Sequence, residues 1–197
     1  QRRASRDPGA SVDGSATRID GHLSRGSHPI KVVTTVTDHA LLSIEGRGMA
    51  GVPGVAARVF GALAERGISV TMISQSSAES SICAAVPMAQ APAALVALKD
   101  AFRLDITHGD IEDVTVRPNV ALLATVGLGM AQTPGVAGAV CDALGRADVN
   151  LLAIAQGSSE LNLTVAVDGT MATHALRVLH ETFGLSRQDC GVTQRST

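Results

Sequence analysis

LLSIEGRGMAGVPGVAARVFGALAERGISVTMISQSSAESSICAAV, residues 41–86, recurs without a gap as LLATVGLGMAQTPGVAGAVCDALGRADVNLLAIAQGSSELNLTVAV, residues 122–167. The offset is a constant 81 residues, and 19 of the 46 aligned positions are identical. The kinship continues beyond the quoted part, because Leu95, Leu98 and Phe102 fall on Leu176, Leu179 and Phe183. Two copies of one unit therefore set the architecture, and 197 residues supply two small cores rather than one large one.

Each unit carries the same order of signals: strand, glycine loop, helix, strand, turn, strand, helix. Leu41–Glu45 reads as a strand ending at Gly46, Pro53 opens a helix, and Val55, Val59 and Leu63 repeat every four residues along one apolar face. Gly67 ends that helix. Residues 68–75 and 81–86 read as strands joined by a polar turn, and Pro87 and Pro92 frame a helix with Leu95, Leu98 and Phe102 on one side. The second unit repeats this through Pro134, Val136, Val140 and Leu144, strands at 149–155 and 161–167, and a helix ending near Phe183.

A βαββα unit with one more edge strand closes a four-stranded antiparallel sheet with two helices on one face, so the expected class is α+β with two ferredoxin-like βαββαβ domains. The first unit finds its closing strand at 111–117. After the second unit only SRQDCGVTQRST remains, which is poor in strand formers. The orphan strand Ile30–Val36 is the candidate to replace it, which nests the first unit inside the second. The domains expected are thus 39–118 for the first, and 30–37 with 119–186 for the second. Residues 1–29 and 187–197 read as tails without apolar periodicity.

Composition excludes several functions. With 16 basic and 18 acidic residues the net charge is -2, which argues against nucleic acid, and three Phe with no Trp or Tyr leave no stacking platform. No run is long enough to span a membrane. Cys83, Cys141 and Cys190 show no paired spacing, so reduced thiols in a cytoplasmic protein are expected, without metal or cofactor. The six histidines form no cluster and no GxSxG elbow supports a serine nucleophile.

GMAGVPGVAARVFGALAERGISVTMISQSS and GMAQTPGVAGAVCDALGRADVNLLAIAQGSSELN resemble the tandem ACT regulatory domains of aspartate kinases. The likeness leans toward threonine-sensitive forms, including those fused to homoserine dehydrogenase. It covers about 30–183 and implies the nested topology, feedback control of the enzyme that makes 4-phospho-aspartate, a homodimer, and a kinase catalytic domain or subunit as partner. The lysine- and glycine-rich kinase signature is absent from these residues, so this chain is expected to be a regulatory fragment or free-standing regulator without catalysis of its own.

The resemblance implies that Gln75 and Gln156, at the ends of equivalent strands, contact the effector beside backbone groups of Ile73 and Ile154. A neutral amide suits a hydroxyl or a zwitterion, because it both donates and accepts. Loops 46–54 and 127–135 join a strand end to a helix start, where unpaired N–H groups can receive a carboxylate. The loop candidates are Met49, Gly51, Gly54, Met130 and Gly135. Threonine is favoured over lysine as effector: lysine-sensitive relatives place an Asp where this chain has Thr71 and Leu152, although Glu45, Glu79 or Glu160 could still serve a lysine ammonium. Glu79 and Glu160 read first as solvated turn residues.

Two other functions stay open on the residues alone. One is a dimerisation module with vestigial ligand sites. The other is a small nucleotide-binding enzyme, because Gly46, Gly48 and Gly51 match GxGxxG after a strand. The second copy breaks that pattern with Gln132.

Overall fold

The computed structural model describes residues 29–185 apart from Gln132. Residues 1–28 of the first expected tail and all of the second, with Cys190, lie outside the described residues. Six antiparallel strands run in the order β2-β3-β1-β4-β6-β5: β1 is Val32–Glu45, β2 Met72–Gln75, β3 Ser81–Pro87, β4 Asp113–Val126, β5 Leu151–Gln156 and β6 Asn162–Asp168. Five helices accompany them: α1 Val55–Glu65, α2 Ala91–Ala101, α3 Arg103–His108, α4 Val136–Arg146 and α5 Ala172–Thr182. The class is the expected α+β with two repeats. A single hydrogen-bonded sheet of six strands nevertheless replaces two separate sheets.

The reason lies in β1 and β4. Each is 14 residues long and joins two segments that read as separate strands: 30–36 with 41–45, and 111–117 with 122–126. The first half of β1 pairs with the second half of β4 (Val33 opposite Thr125), and the second half of β1 with the first half of β4 (Ile44 opposite Val114). Each half of the ladder thus completes a different repeat. Ile30 and Val33 pack in the core under α4 and α5, whereas Ala40, Leu42 and Ile44 pack with Val59, Leu63 and Leu98 of α1 and α2.

Side chains on a regular strand alternate faces, so Val33 and Ala40, seven apart, would point in opposite directions. The register between Val36 and Leu41 shifts through bulges, with Asp38 at φ 58° in β1 and Asn119 at φ 53° in β4. Asp and Asn tolerate the left-handed region better than other non-glycine residues, and each extra residue restores the parity. Both apolar rows consequently face one side, and the helices of both repeats cover it.

The other side of the sheet closes on itself. Leu41, Met72, Ala85, Val120, Leu122 and Ala166 form a third buried cluster on this face, with Leu152, Ala153 and Ala155 packed against it. Strands β2 and β5, at opposite ends of the pairing order, meet there, and Ser74 Oγ donates to the Ile154 carbonyl at 2.9 Å. His39 is buried at the crossover, within 2.7 Å of the Thr37 carbonyl and 3.0 Å of Thr71 Oγ1.

Several element ends differ from expectation. Strand β2 begins at Met72 rather than residue 68, and β5 covers 151–156 rather than 149–155. Pro53 does not open α1. It lies in the preceding turn, and Gly54 in the left-handed region (φ 90°) is the N-cap. Helix α3 was not expected; Asp105 within it takes two hydrogen bonds from Arg58 of α1, at 3.0 and 2.7 Å, while Arg58 stacks over Phe102 at 4.3 Å. Among the described residues no helix is long and apolar enough to cross a membrane.

Hydrogen bonding from Arg58 holds the Asp105 carboxyl below its ordinary value of 3.8. A depressed carboxylate stabilises the fold above the unfolded value and loses that contribution as pH falls through the folded one. Asp105→Asn is expected to flatten the fall in unfolding midpoint below about pH 5 and, since the pair is partly exposed, to cost about 0.2–1 kcal/mol at pH 7. Glycine substitutions divide by surroundings. A Cβ on Gly61 of α1 meets nothing within 4 Å, so Gly61→Ala should stabilise by about 0.5–1 kcal/mol in denaturant titration. A Cβ on Gly127 would lie 2.1 Å from the Pro29 carbonyl oxygen, so Gly127→Ala should cost about 1–3 kcal/mol.

Candidate functional site

The loop after Glu45 is built by its glycines, which serve two purposes. Cβ atoms on Gly46 and Gly48 would come within 2.4 and 2.7 Å of Asp110 backbone atoms, so these residues let the chain pass over the loop. Gly127 and Gly129 do the same against Pro29. The space a GxGxxG loop would offer a phosphate is therefore filled by the protein's own backbone. Gly51 (φ 73°) and Gly54 (φ 90°) instead have open surroundings and turn the chain into α1.

That turn opens a cleft of about 380 Å³ between the loop, the start of α1 and the end of β2. Of the sequence-predicted residues, Met49, Gly51, Gly54 and Gln75 line it together. Met49 is buried and forms its floor with Ile82. Gly54, Val55 and Ala56 border the cleft where α1 begins, and no side chain caps that helix. The first N–H groups of a helix have no intrahelical partner and carry its positive dipole end, so this wall favours an anion. Gln75 ends β2 opposite Ile82 and is exposed, so its amide is free to donate and accept.

Ile73 is not among the cleft residues. It lies on the edge strand with 46% of its surface exposed, and Ile154 is 42% exposed on β5. Any contribution from these two would come through the backbone, and the Ile154 carbonyl is already bonded to Ser74.

Glu79 is exposed in the β2–β3 turn, as read from the sequence, and makes a contact that this reading did not foresee. Its carboxylate lines the cleft and accepts the Gly51 N–H at 2.9 Å, linking the β2–β3 turn to the loop. Its φ of 55° is matched by 56° at Glu160, and each closes its turn with a backbone bond of 3.0 Å, to Ser76 and Gly157. A long side chain in the left-handed region is uncommon. The one signal in the sequence was that both copies keep a Glu there.

The second repeat reproduces the frame. Met130 is buried, its N–H bonds the Gly127 carbonyl at 3.1 Å as Met49 bonds Gly46 at 3.3 Å, and Gly135 (φ 86°) caps α4 as Gly54 caps α1. Gln156 ends β5 opposite Leu163 and is exposed.

A chemical summary of the first cleft is an uncapped helix start on one wall, a carboxylate on another, and a neutral amide between them. This combination complements a small zwitterion. It holds no nucleophile with an adjacent base.

The family described as ACT domain matches residues 42–102 and 123–183. The bifunctional aspartokinase/homoserine dehydrogenase 1 of Arabidopsis thaliana, described as chloroplastic, is 44% identical over 164 residues, which are 83% of this chain and 18% of that protein. The corresponding bifunctional enzyme of Haemophilus influenzae is 36% identical over 163 residues, 83% of this chain and 20% of that one. The chain thus spans about a fifth of the length of these relatives. The ligand-free regulatory subunit of aspartate kinase from Thermus thermophilus superposes with a TM-score of 0.65 at 31% identity, covering 79% of this chain and 99% of that one.

Removing the Glu79 carboxylate should release one amide without unfolding the protein. In Glu79→Ala the Gly51 N–H is expected to exchange with solvent about five- to tenfold faster, while global stability changes by less than about 1 kcal/mol. Glu79→Gln, which keeps an acceptor, should fall between.

Proposed function

The chain belongs to the ACT-domain family, and we propose that it is the effector-sensing part of an aspartate kinase, binding threonine to inhibit the kinase by feedback. The observation that carries this reading is the pairing of opposite charges across the first cleft. The α1 N-terminus meets a carboxylate, Glu79 meets an ammonium, and Gln75 serves the side-chain hydroxyl. We read the equivalent place in the second repeat as a second cleft, in which the α4 N-terminus at Gly135 takes the carboxylate, Glu160 the ammonium and Gln156 the hydroxyl, with Met130 as the floor.

Charge counting favours threonine over lysine. Glu79 is the one acidic side chain among the residues lining the first cleft, and the α-ammonium of any amino acid occupies it. A second ammonium would then sit near the neutral Gln75 without a counter-charge. Inhibition follows if the ligand prefers one arrangement of the sensor relative to a kinase catalytic domain or subunit; couplings of about 1–3 kcal/mol are typical.

The seam where β2 and β5 meet, with Ile73 and Ile154 exposed on it, is the surface on which a second copy would dock to give a homodimer. Cys83 and Cys141 form no disulfide among the described residues, which fits a reducing compartment such as the cytoplasm.

The test is thermal unfolding with threonine, lysine, methionine and NAD at millimolar concentration. Threonine at a hundred times its Kd should stabilise by about 2.7 kcal/mol. Gln75→Ala and Gln156→Ala should each weaken its binding about two- to tenfold. A larger response to lysine would overturn the effector assignment, and silence toward every amino acid would replace the sensor with a structural dimerisation module.

A further inference from the structure

Strands β2 and β5 belong to different repeats and share no ladder; they touch only because the sheet curls until its ends meet. The Ser74 hydroxyl bridges that contact, donating to the Ile154 carbonyl at 2.9 Å. Its neighbours across the seam, Met72, Leu152, Ala153 and Ala155, are apolar and pack without direction. Ser74 directly precedes Gln75, and Ile154 lies two residues before Gln156. A shift at either strand end therefore acts on this bond.

The repeat makes the bond one-sided. By the offset of 81, Ser74 corresponds to Ala155 and Ile154 to Ile73, so the reciprocal bond that a true two-fold axis would generate has no donor. Near-symmetry brings the two glutamine-tipped strands together, and one hydroxyl joins them.

We propose that Ser74 is a positioning residue that couples the two clefts, transmitting occupancy at Gln75 to the strand that carries Gln156 and back. The coupling rests on the reading that both clefts bind threonine; the hydroxyl link itself does not. A ligand drawing the end of β2 toward α1 must carry Ser74 with it, and the Ile154 carbonyl then loses its donor or moves after it. Linkage requires the same factor in the reverse direction. Since one net hydrogen bond is at stake, the affinity of one cleft should change about two- to tenfold when the other is filled.

The experiment is calorimetric titration of the full 197-residue chain with L-threonine. The coupling factor is the affinity of the first cleft in the intact protein divided by its affinity when the second is disabled by Gln156→Ala combined with Glu160→Ala, which removes both its amide and its carboxylate. It should lie about two- to tenfold from unity in the parent, fall to unity in Ser74→Ala, and return in Ser74→Thr, which restores a hydroxyl. Ala already occupies the equivalent position of the second repeat, so the variant is expected to fold. A factor of unity in the parent, or one unchanged in Ser74→Ala, overturns the proposal while leaving threonine binding intact. If threonine gives no heat, the sensor reading fails, and the link is judged without ligand by hydrogen exchange. Ser74→Ala should then speed exchange in both 72–75 and 151–156, and a rise confined to one strand overturns it.

Discussion

The fold depends on the antiparallel pairing of β1 with β4. These are the longest strands, and each serves one repeat with its first half and the other with its second. Neither repeat closes a four-stranded unit from contiguous sequence alone. The first takes the second half of β1 and the first half of β4; the second takes what remains. Cooperativity follows, since peeling β1 from β4 would strip the closing edge strand from both repeats at once. Two bulges make the arrangement compatible with burial. Without the extra residues at Asp38 and Asn119, one apolar row would turn to the concave face and leave a helix pair without a core.

The duplication made most of this legible. A gapless offset of 81 residues places helices α1 and α2 and strands β2 and β3 of the first copy on α4, α5, β5 and β6 of the second, and the missing last strand of the second copy pointed to Ile30–Val36. The fusion of strands was hidden because Thr37-Asp38 and Pro118-Asn119 resemble turns, and local chemistry does not distinguish a turn from a bulge that lets pairing continue. Pro53 misled for a related reason: a proline can start a helix or sit in the turn before it, and the left-handed Gly54 decides between them. Helix α3 has only six residues, too few to show a period.

The site was legible where it depends on backbone and obscured where it depends on a long side chain. Gly51, Gly54, Met49 and Gln75 meet because strand end, loop and helix start are contiguous in the unit. The glycines before them proved to accommodate the crossing segments at Asp110 and Pro29, a use visible only once the chain is folded. Glu79 reaches the loop across 28 residues of sequence, and the turn that aims it requires a backbone conformation that a glutamate seldom adopts. Composition alone cannot carry such information.

A ligand bound at this junction would have a mechanical consequence. One exposed carboxylate-to-amide bond, from Glu79 of the β2–β3 turn to Gly51, joins that turn to the loop leading into α1. A zwitterion bound there would replace that weak link with contacts to both walls, so its binding energy would act on the relative position of helix and strand rather than on the buried core. The core is close-packed and resists gradual deformation. Edge strands are freer to move, and β2 is both a wall of the cleft and an edge strand of the ladder. An effector that orders β2 therefore alters the surface that a second copy or a catalytic partner would meet, without any rearrangement of the shared strands β1 and β4.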